Sequence, residues 1–301
     1  MSSVATAPPG PAPEVPPGEA PARAGRKLLR SPLMIVGLLV VGALVLVAAL
    51  APLLATHDPK AITGRALEPP SGRHWLGTDV PGRDIYSQLV FGGRASLIVG
   101  VVGASLALTG AILLGVLPAL VGGVADTLSN RLVVFLLALP GMPLLVLVGA
   151  LAGPRQYALI LVIAFAGIAP IGRILRSQTL TLRARGFISA SRGFGGGPLH
   201  VLRRHLVPGL GPLLVVEFVN WAGNAIALEA GLTFLGLGNP SGISWGLMMN
   251  RALAQPSIYF SRMWTWWALP PGLAITLAVL GFTFIGIALE PTFNPRWLRS
   301  A

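Results

Sequence analysis

Residues 32–54 read PLMIVGLLVVGALVLVAALAPLL, 23 positions without one charged or amide side chain. At 1.5 Å of rise per residue this run makes a helix of about 34 Å, enough to cross a hydrocarbon core of roughly 30 Å. Five further blocks pass the same length test, at 95–121, 132–152, 157–175, 212–235 and 266–289. Lipid offers the backbone no hydrogen-bond partner, so spanning segments are helices or closed barrels, and these runs are too long and too uniformly apolar for barrel strands. The expected fold is an all-α, polytopic membrane protein with six transmembrane helices. Composition agrees: 53% of residues are hydrophobic and 11% charged, which places the chain outside the soluble globular class.

Residues 1–25 are mostly Ala, Pro and Gly, too poor in large apolar side chains to offset chain entropy, and read as a disordered cytoplasmic tail. The apolar part of 32–54 is well beyond the roughly 7–15 residues of a signal peptide, so the first span is expected to be retained. Residues 26–93 then hold that span and an extracytoplasmic segment, Thr56 to Gly93, with four of the ten acidic residues. A short interfacial helix from Asp84 to Leu97 is expected before span two. Residues 94–301 form the five-helix core. Spans three and four are joined only by Gly153-Pro154-Arg155-Gln156, which makes them antiparallel neighbours. Tyr259, Phe260, Trp264, Trp266 and Trp267 cluster where span six begins, as an interfacial aromatic belt does.

The net charge of +12 would point to nucleic acid in a soluble protein, but here Lys and Arg flank the spans. With the N-terminus inside, 14 of them fall on the cytoplasmic side against 8 outside, so both termini are expected in the cytoplasm and no nucleic-acid partner is implied. The absence of cysteine excludes disulfides and thiolate sites. Lys27 precedes Leu28 and Lys60 precedes Ala61, so no lysine sits in a phosphate-binding loop and the chain cannot itself hydrolyse ATP. His57, His74, His200 and His205 lack the spacing of a local metal motif, and no Ser/His/Asp set falls on identifiable turns. Neither a catalytic nor a metal set, nor a cofactor of this chain, is expected.

Between spans four and five, residues 177–211 fit two short amphipathic helices, Arg183 to Phe194 and Leu199 to Leu206, broken by Gly195-Gly196-Gly197-Pro198. The first presents Phe187, Ile188 and Phe194 among small residues, a knob suited to a hydrophobic groove on a partner. A basic helix lying on anionic membrane lipid fits the same composition, which does not separate the two.

The stretch Phe187-Ile188-Ser189-Ala190-Ser191-Arg192-Gly193-Phe194-Gly195, followed after nine residues by His205-Leu206-Val207-Pro208, resembles the EAA loop of bacterial ABC-importer permeases. It looks most like the C-type subunit of dipeptide, oligopeptide and nickel importers. Other segments match that family in order: His74-Trp75-Leu76-Gly77-Thr78-Asp79 with Gly82-Arg83-Asp84, Gly122-Gly123 through Asp126 and Arg131, Glu229 to Gly238 with Ser244-Trp245-Gly246, and Pro271 to Ile275. The resemblance covers about residues 31–297. It implies a type I importer permease in a bacterial inner membrane, with a coupling-helix loop that docks on an ATPase. The implied partners are a second, B-type permease, one or two ATPase subunits carrying ATP and magnesium, and an extracytoplasmic substrate-binding protein. The coupling residues it implies are Arg183, Phe187, Ile188, Ser189, Ala190, Ser191, Arg192, Phe194, Gly195, His205 and Pro208. The chain departs from the pattern at Ser189, where the family carries glutamate, at Ser191 in place of the second alanine, and at Val134 in place of an aspartate.

In span five Glu217, Asn220, Trp221 and Asn224 recur at i, i+3, i+4 and i+7, hence on one helical face. Ionisable groups in a bilayer usually face a cavity or a partner, so this face is a candidate lining of the translocation path; helix-to-helix hydrogen bonding is the alternative. Glu229 sits about 120° away by periodicity and near the outer end, as an interface or gate contact would. An ion-coupled secondary transporter would instead need paired ionisable residues at mid-membrane and two similar halves. A non-transporting scaffold subunit would account for the basic loop alone.

Overall fold

The computed structural model describes residues 31–184 and 207–290, and among them it is built of helices and turns with one isolated bridge, Thr78 to Asp84. Helix α1 (Pro32–Ala49) starts where Ser31 Oγ accepts the Met34 N–H at 3.2 Å and Pro32 occupies the first turn. After the short α2 (Ala51–Leu54) the chain leaves the bundle. The orphan carbonyls at the end of α1 are met by Arg94, whose Nε donates to Ala48 O at 2.6 Å and whose Nη2 donates to Ala49 O at 2.9 Å.

Helix α3 (Ile85–Ala111) is capped by Asp84 and continues through a π-helical turn, Ile112–Val116, into α4 (Leu117–Val121). The apolar rod Ile85–Val121 has 37 residues, about 55 Å of helix, and so outruns the hydrocarbon core. The expected separate interfacial helix is thus the first turns of span two itself, and the expected boundary at 93/94 falls inside one helix. The π turn has a local cause: Pro118 lacks an N–H and crowds the carbonyl four residues back, and that carbonyl, Leu114 O, accepts instead from Ser129 Oγ on the next helix.

Span three differs most from expectation. The block 132–152 is not one rod but the end of α5 (Gly123–Ala138) and α6 (Gly141–Ala152), bent by 92°. Leu139 is extended (φ −74°, ψ 142°) because the following Pro140 disfavours helical geometry in the residue before it. Among the described residues five helices are therefore long and apolar enough to cross a membrane, and the bent pair makes a sixth when taken as one span.

Helix α7 (Gln156–Arg183) runs on well past residue 175, and α8 (Val207–Phe234) begins before 212, so both ends of the expected loop 177–211 are helical. Then come α9 (Trp245–Leu253), a 3-10 turn (Pro256–Tyr259), α10 (Trp264–Trp267) and α11 (Leu269–Leu289). Tyr259 and Phe260 are exposed as a belt requires, whereas Trp267 is buried with Ile85, Met248 and Ile258.

Helices α3, α7 and α8 pack on one another, α11 packs on α8 and α1 lies across α11. Lipid supplies no hydrophobic drive between helices, so close approach at small residues carries much of this packing. At Gly115 a Cβ would fall 2.9 Å from Gly172 Cα, and at Gly100 2.7 Å from Ile226 Cγ1. α6 and α7 pack on each other across their short link, the turn between them being opened by Gly153 at φ 79°.

Candidate functional site

At the end of the bundle where α7 stops and α8 starts, two arginines fix the helix that leads into the predicted docking loop. Arg176 grips Asp126 of α5 with both arms, Nε to Oδ1 at 2.7 Å and Nη2 to Oδ2 at 2.9 Å. Arg183 Nη1 donates to Ala119 O of α4 at 2.8 Å. A bidentate guanidinium–carboxylate pair fixes orientation as well as distance, so the last turns of α7 are tied to α5 and, through Arg183, to α4. Of the predicted docking residues, Arg183 therefore has a bond within the chain, and Pro208 lies exposed in the first turn of α8. Phe187, Ile188, Ser189, Ala190, Ser191, Arg192, Phe194, Gly195 and His205 lie outside the described residues.

The polar stripe of span five divides. Glu217 and Asn220 line a cavity of ≈ 500 Å³ together with Gln178 of α7 and Thr283, Gly286 and Glu290 at the end of α11. The Asn220 amide lies where a side chain on Gly286 would be, so that glycine lets the polar group turn along the wall. Asn224 is exposed one turn further on. Trp221 leaves the predicted face: its indole packs where Gly167 of α7 has no side chain, it borders three hydrophobic clusters, and its Nε1 is buried without a hydrogen-bond partner among the described residues. Helical periodicity sets the direction of its Cα, but a large apolar ring goes where a glycine leaves room.

Glu229, expected at an interface, is 2% exposed within this chain. Ser96 Oγ of α3 donates to its Oε2 at 2.9 Å, and the carboxylate borders a narrow cavity of ≈ 40 Å³, room for a few waters, with Gln156, Thr233 and Ser244. The Trp245 N–H reaches the same Ser96 Oγ at 3.4 Å and the indole Nε1–H donates to Leu89 O at 3.0 Å, so α9 is docked onto α3 beside this carboxylate. The cavity adjoins a wide recess of ≈ 940 Å³ that includes His57, Asp58, Lys60, Arg94 and Asn239.

The segment between α2 and α3 is held by buried polar residues. Asp79 accepts from Arg83 N at 2.8 Å, Arg83 Nε at 3.2 Å and Gln88 Nε2 at 3.0 Å. Arg251 of α9 closes the network, donating to Pro240 O at 2.6 Å, Gly242 O at 3.2 Å and Gln88 Oε1 at 3.4 Å. Gly77 and Gly82 take φ of 71° and 92°, which lets this stretch fold back on itself. Burial alone would raise the pKa of Asp84, but hydrogen bonds from Ser87, His74 and Thr56 outweigh it and hold the carboxyl below its ordinary value. None of these partners, 28 residues apart in the case of Thr56 and Asp84, carries a periodic signal in the sequence.

Apolar membrane-crossing helices with polar side chains turned into a cavity among them define a polytopic transport subunit. The chain belongs to the family of binding-protein-dependent transport system inner membrane components, which it matches over residues 111–299. Residues 22–70 match the N-terminal transmembrane domain of oligopeptide transport permease C. Over 277 residues, 91% of each chain, it is 38% identical to a putative peptide permease protein of Brucella suis. It is 34% identical over 270 residues, 88% of each chain, to the probable D,D-dipeptide transport system permease protein DdpC of Escherichia coli. It is also 34% identical over 278 residues, 90% of this chain and 88% of the relative, to the dipeptide transport system permease protein DppC of Alkalihalophilus pseudofirmus.

Proposed function

We propose that this chain is the C-type permease subunit of an ATP-driven peptide importer in a bacterial inner membrane. It pairs with a B-type permease and forms half of the translocation path. One or two ATPase subunits bring ATP and magnesium, and an extracytoplasmic binding protein delivers the substrate. Both termini and the 184–207 connection face the cytoplasm, and the segments 55–84 and 235–263 face outward. The observation that carries this reading is the ≈ 500 Å³ cavity walled by Gln178, Glu217, Asn220, Thr283 and Glu290, since carboxylates and amides are costly in a bilayer unless they face water, solute or a partner. Peptide as substrate rests on the names of the relatives.

Coupling follows from the attachments of α7. A force applied by an ATPase to residues 184–206 enters α7 at its end, and the Arg176–Asp126 and Arg183–Ala119 bonds carry it into α5 and α4. The knob Phe187 to Gly195 docks by shape, and Ser189 offers a hydroxyl where the family carries glutamate. Reconstitution tests the function: proteoliposomes with both permeases, the ATPases and the binding protein should take up a short peptide only with ATP inside the ATPase-facing compartment. Peptide accumulation that persists without ATP and follows an ion gradient would refute it. Glu217→Gln should alter uptake while leaving assembly intact.

A further inference from the structure

The segment between α2 and α3 folds two histidines onto the N-terminal cap of α3, and transport as derived above uses neither. The Asp84 carboxylate divides its contacts. Oδ2 accepts from Ser87 N at 2.8 Å, Ser87 Oγ at 2.7 Å and Thr56 Oγ1 at 3.2 Å. Oδ1 faces two imidazoles, with His74 Nδ1 at 2.9 Å and His57 Nδ1 at 3.9 Å. The rings themselves stack with centroids 4.7 Å apart. One ligand atom from each of His57, His74 and Asp84 lies within 4.8 Å of the other two.

We propose that His57, His74 and Asp84 form a binding site for a divalent transition-metal ion of the zinc class. Two imidazole nitrogens and one carboxylate oxygen are a borderline donor set that suits zinc and disfavours calcium or magnesium, which take oxygen ligands. Access comes from one side. The His74 and Asp84 side chains are 1% and 0% exposed, whereas that of His57 is 20% exposed and lines the ≈ 940 Å³ recess, so an ion enters past His57 and water completes its coordination. The supporting shell is also in place: Ser87 and Thr56 orient the carboxylate through Oδ2. His74 Nε2, buried and without a hydrogen-bond partner among the described residues, lies 2.9 Å from the position a Cβ on Gly64 would take, and Glu68 Oε2 lies 3.0 Å from that same point. When Nδ1 binds an ion, Nε2 keeps the ring proton as a hydrogen-bond donor, and Glu68 is the carboxylate beside the same glycine. An ion here ties His57 at the rim of the recess to the first turn of α3.

The test uses the assembled transporter, stripped with a chelator and then loaded with Zn²⁺, or with Co²⁺ as a spectroscopic probe. His57→Ala removes the accessible ligand, whose ring makes a single hydrogen bond, to Thr56 Oγ1 at 3.0 Å. The wild-type complex should hold one more zinc ion by elemental analysis than the His57→Ala complex, and show a cobalt visible band of tetrahedral intensity that the variant lacks. His57→Asp keeps a shorter oxygen donor at this position and should bind the ion, but more weakly than the wild type. Zn²⁺ should raise the thermal midpoint of the wild type and not of His57→Ala, a comparison each protein makes with itself whatever the variant's own stability. Equal metal counts in the two complexes, or an unchanged cobalt spectrum, would overturn the site and leave the transport reading untouched.

Discussion

Gly167→Ala tests whether the Trp221 indole is seated in the α7–α8 contact. In a helix interior, alanine for glycine is worth about 0.8–1 kcal/mol of intrinsic stability. At Gly167 the new methyl would sit 2.6 Å from Trp221 Nε1 and 2.8 Å from Ala107 Cβ, both well inside the ordinary carbon contact of about 3.5–4.0 Å. Ala107 is fully buried on α3 and the indole borders three clusters, so neither can simply turn away. Overpacking of this kind costs roughly 1–3 kcal/mol, which outweighs the helix term and leaves a net loss of up to about 2 kcal/mol. The assay is the thermal midpoint of the purified complex in detergent, by calorimetry so that the tryptophan itself is not the probe. Gly42→Ala is the control, because a Cβ there meets nothing within 4 Å and the substitution should stabilise or be neutral. Trp221→Phe removes the clashing edge, so the double variant should be less damaged than the two single losses combined, by about 1 kcal/mol. A Gly167→Ala protein as stable as Gly42→Ala, or strict additivity with Trp221→Phe, would refute this packing.

Three further outcomes follow from the same geometry. In a double-mutant cycle on Arg176→Met and Asp126→Asn, the pair should show a coupling of about 1 kcal/mol, since its side chains are 24% and 17% exposed and solvent screens part of a bidentate interaction. Arg94→Met leaves the Ala48 and Ala49 carbonyls without their side-chain donor and should cost about 1 kcal/mol, read as faster amide hydrogen exchange at the end of α1 and in α2. In chelator-treated protein, ionised Asp84 stabilises the fold in full above its ordinary pKa of 3.8, and that contribution is lost as pH falls below it through the depressed folded value. The thermal midpoint of the wild type should therefore fall more steeply with acid below about pH 4 than that of Asp84→Asn.

Span number and fold class were legible because apolar length alone decides them. The bend in span three was legible in part: Pro140-Gly141 interrupts the run 132–152, but hydropathy passes over proline and glycine, whereas backbone geometry does not. The extension of α7 to Arg183 was hidden, because the apolar run ends near residue 175 and the partners of Arg176 and Arg183, Asp126 and Ala119 O, are brought beside them only by the fold. Trp221 shows the limit of periodicity, which gives the direction of a Cα but not the place where a ring finds space. Periodicity sets Glu229 apart from the polar stripe, but its burial against Ser96, 133 residues earlier, is a tertiary fact. His57, His74 and Asp84 meet across an irregular segment, where no helical or strand period relates one position to the next.

If residues 177–211 transmit ATPase motion to the permease, disrupting the docking segment uncouples hydrolysis from substrate delivery. Ala190 to Phe194 is replaced by a Gly-Ser linker of equal length, and ATP hydrolysis by the assembled complex is followed with and without loaded binding protein. Both permeases should still assemble in the membrane while the stimulation of hydrolysis by loaded binding protein is lost. Stimulation equal to that of the wild type would contradict this transmission.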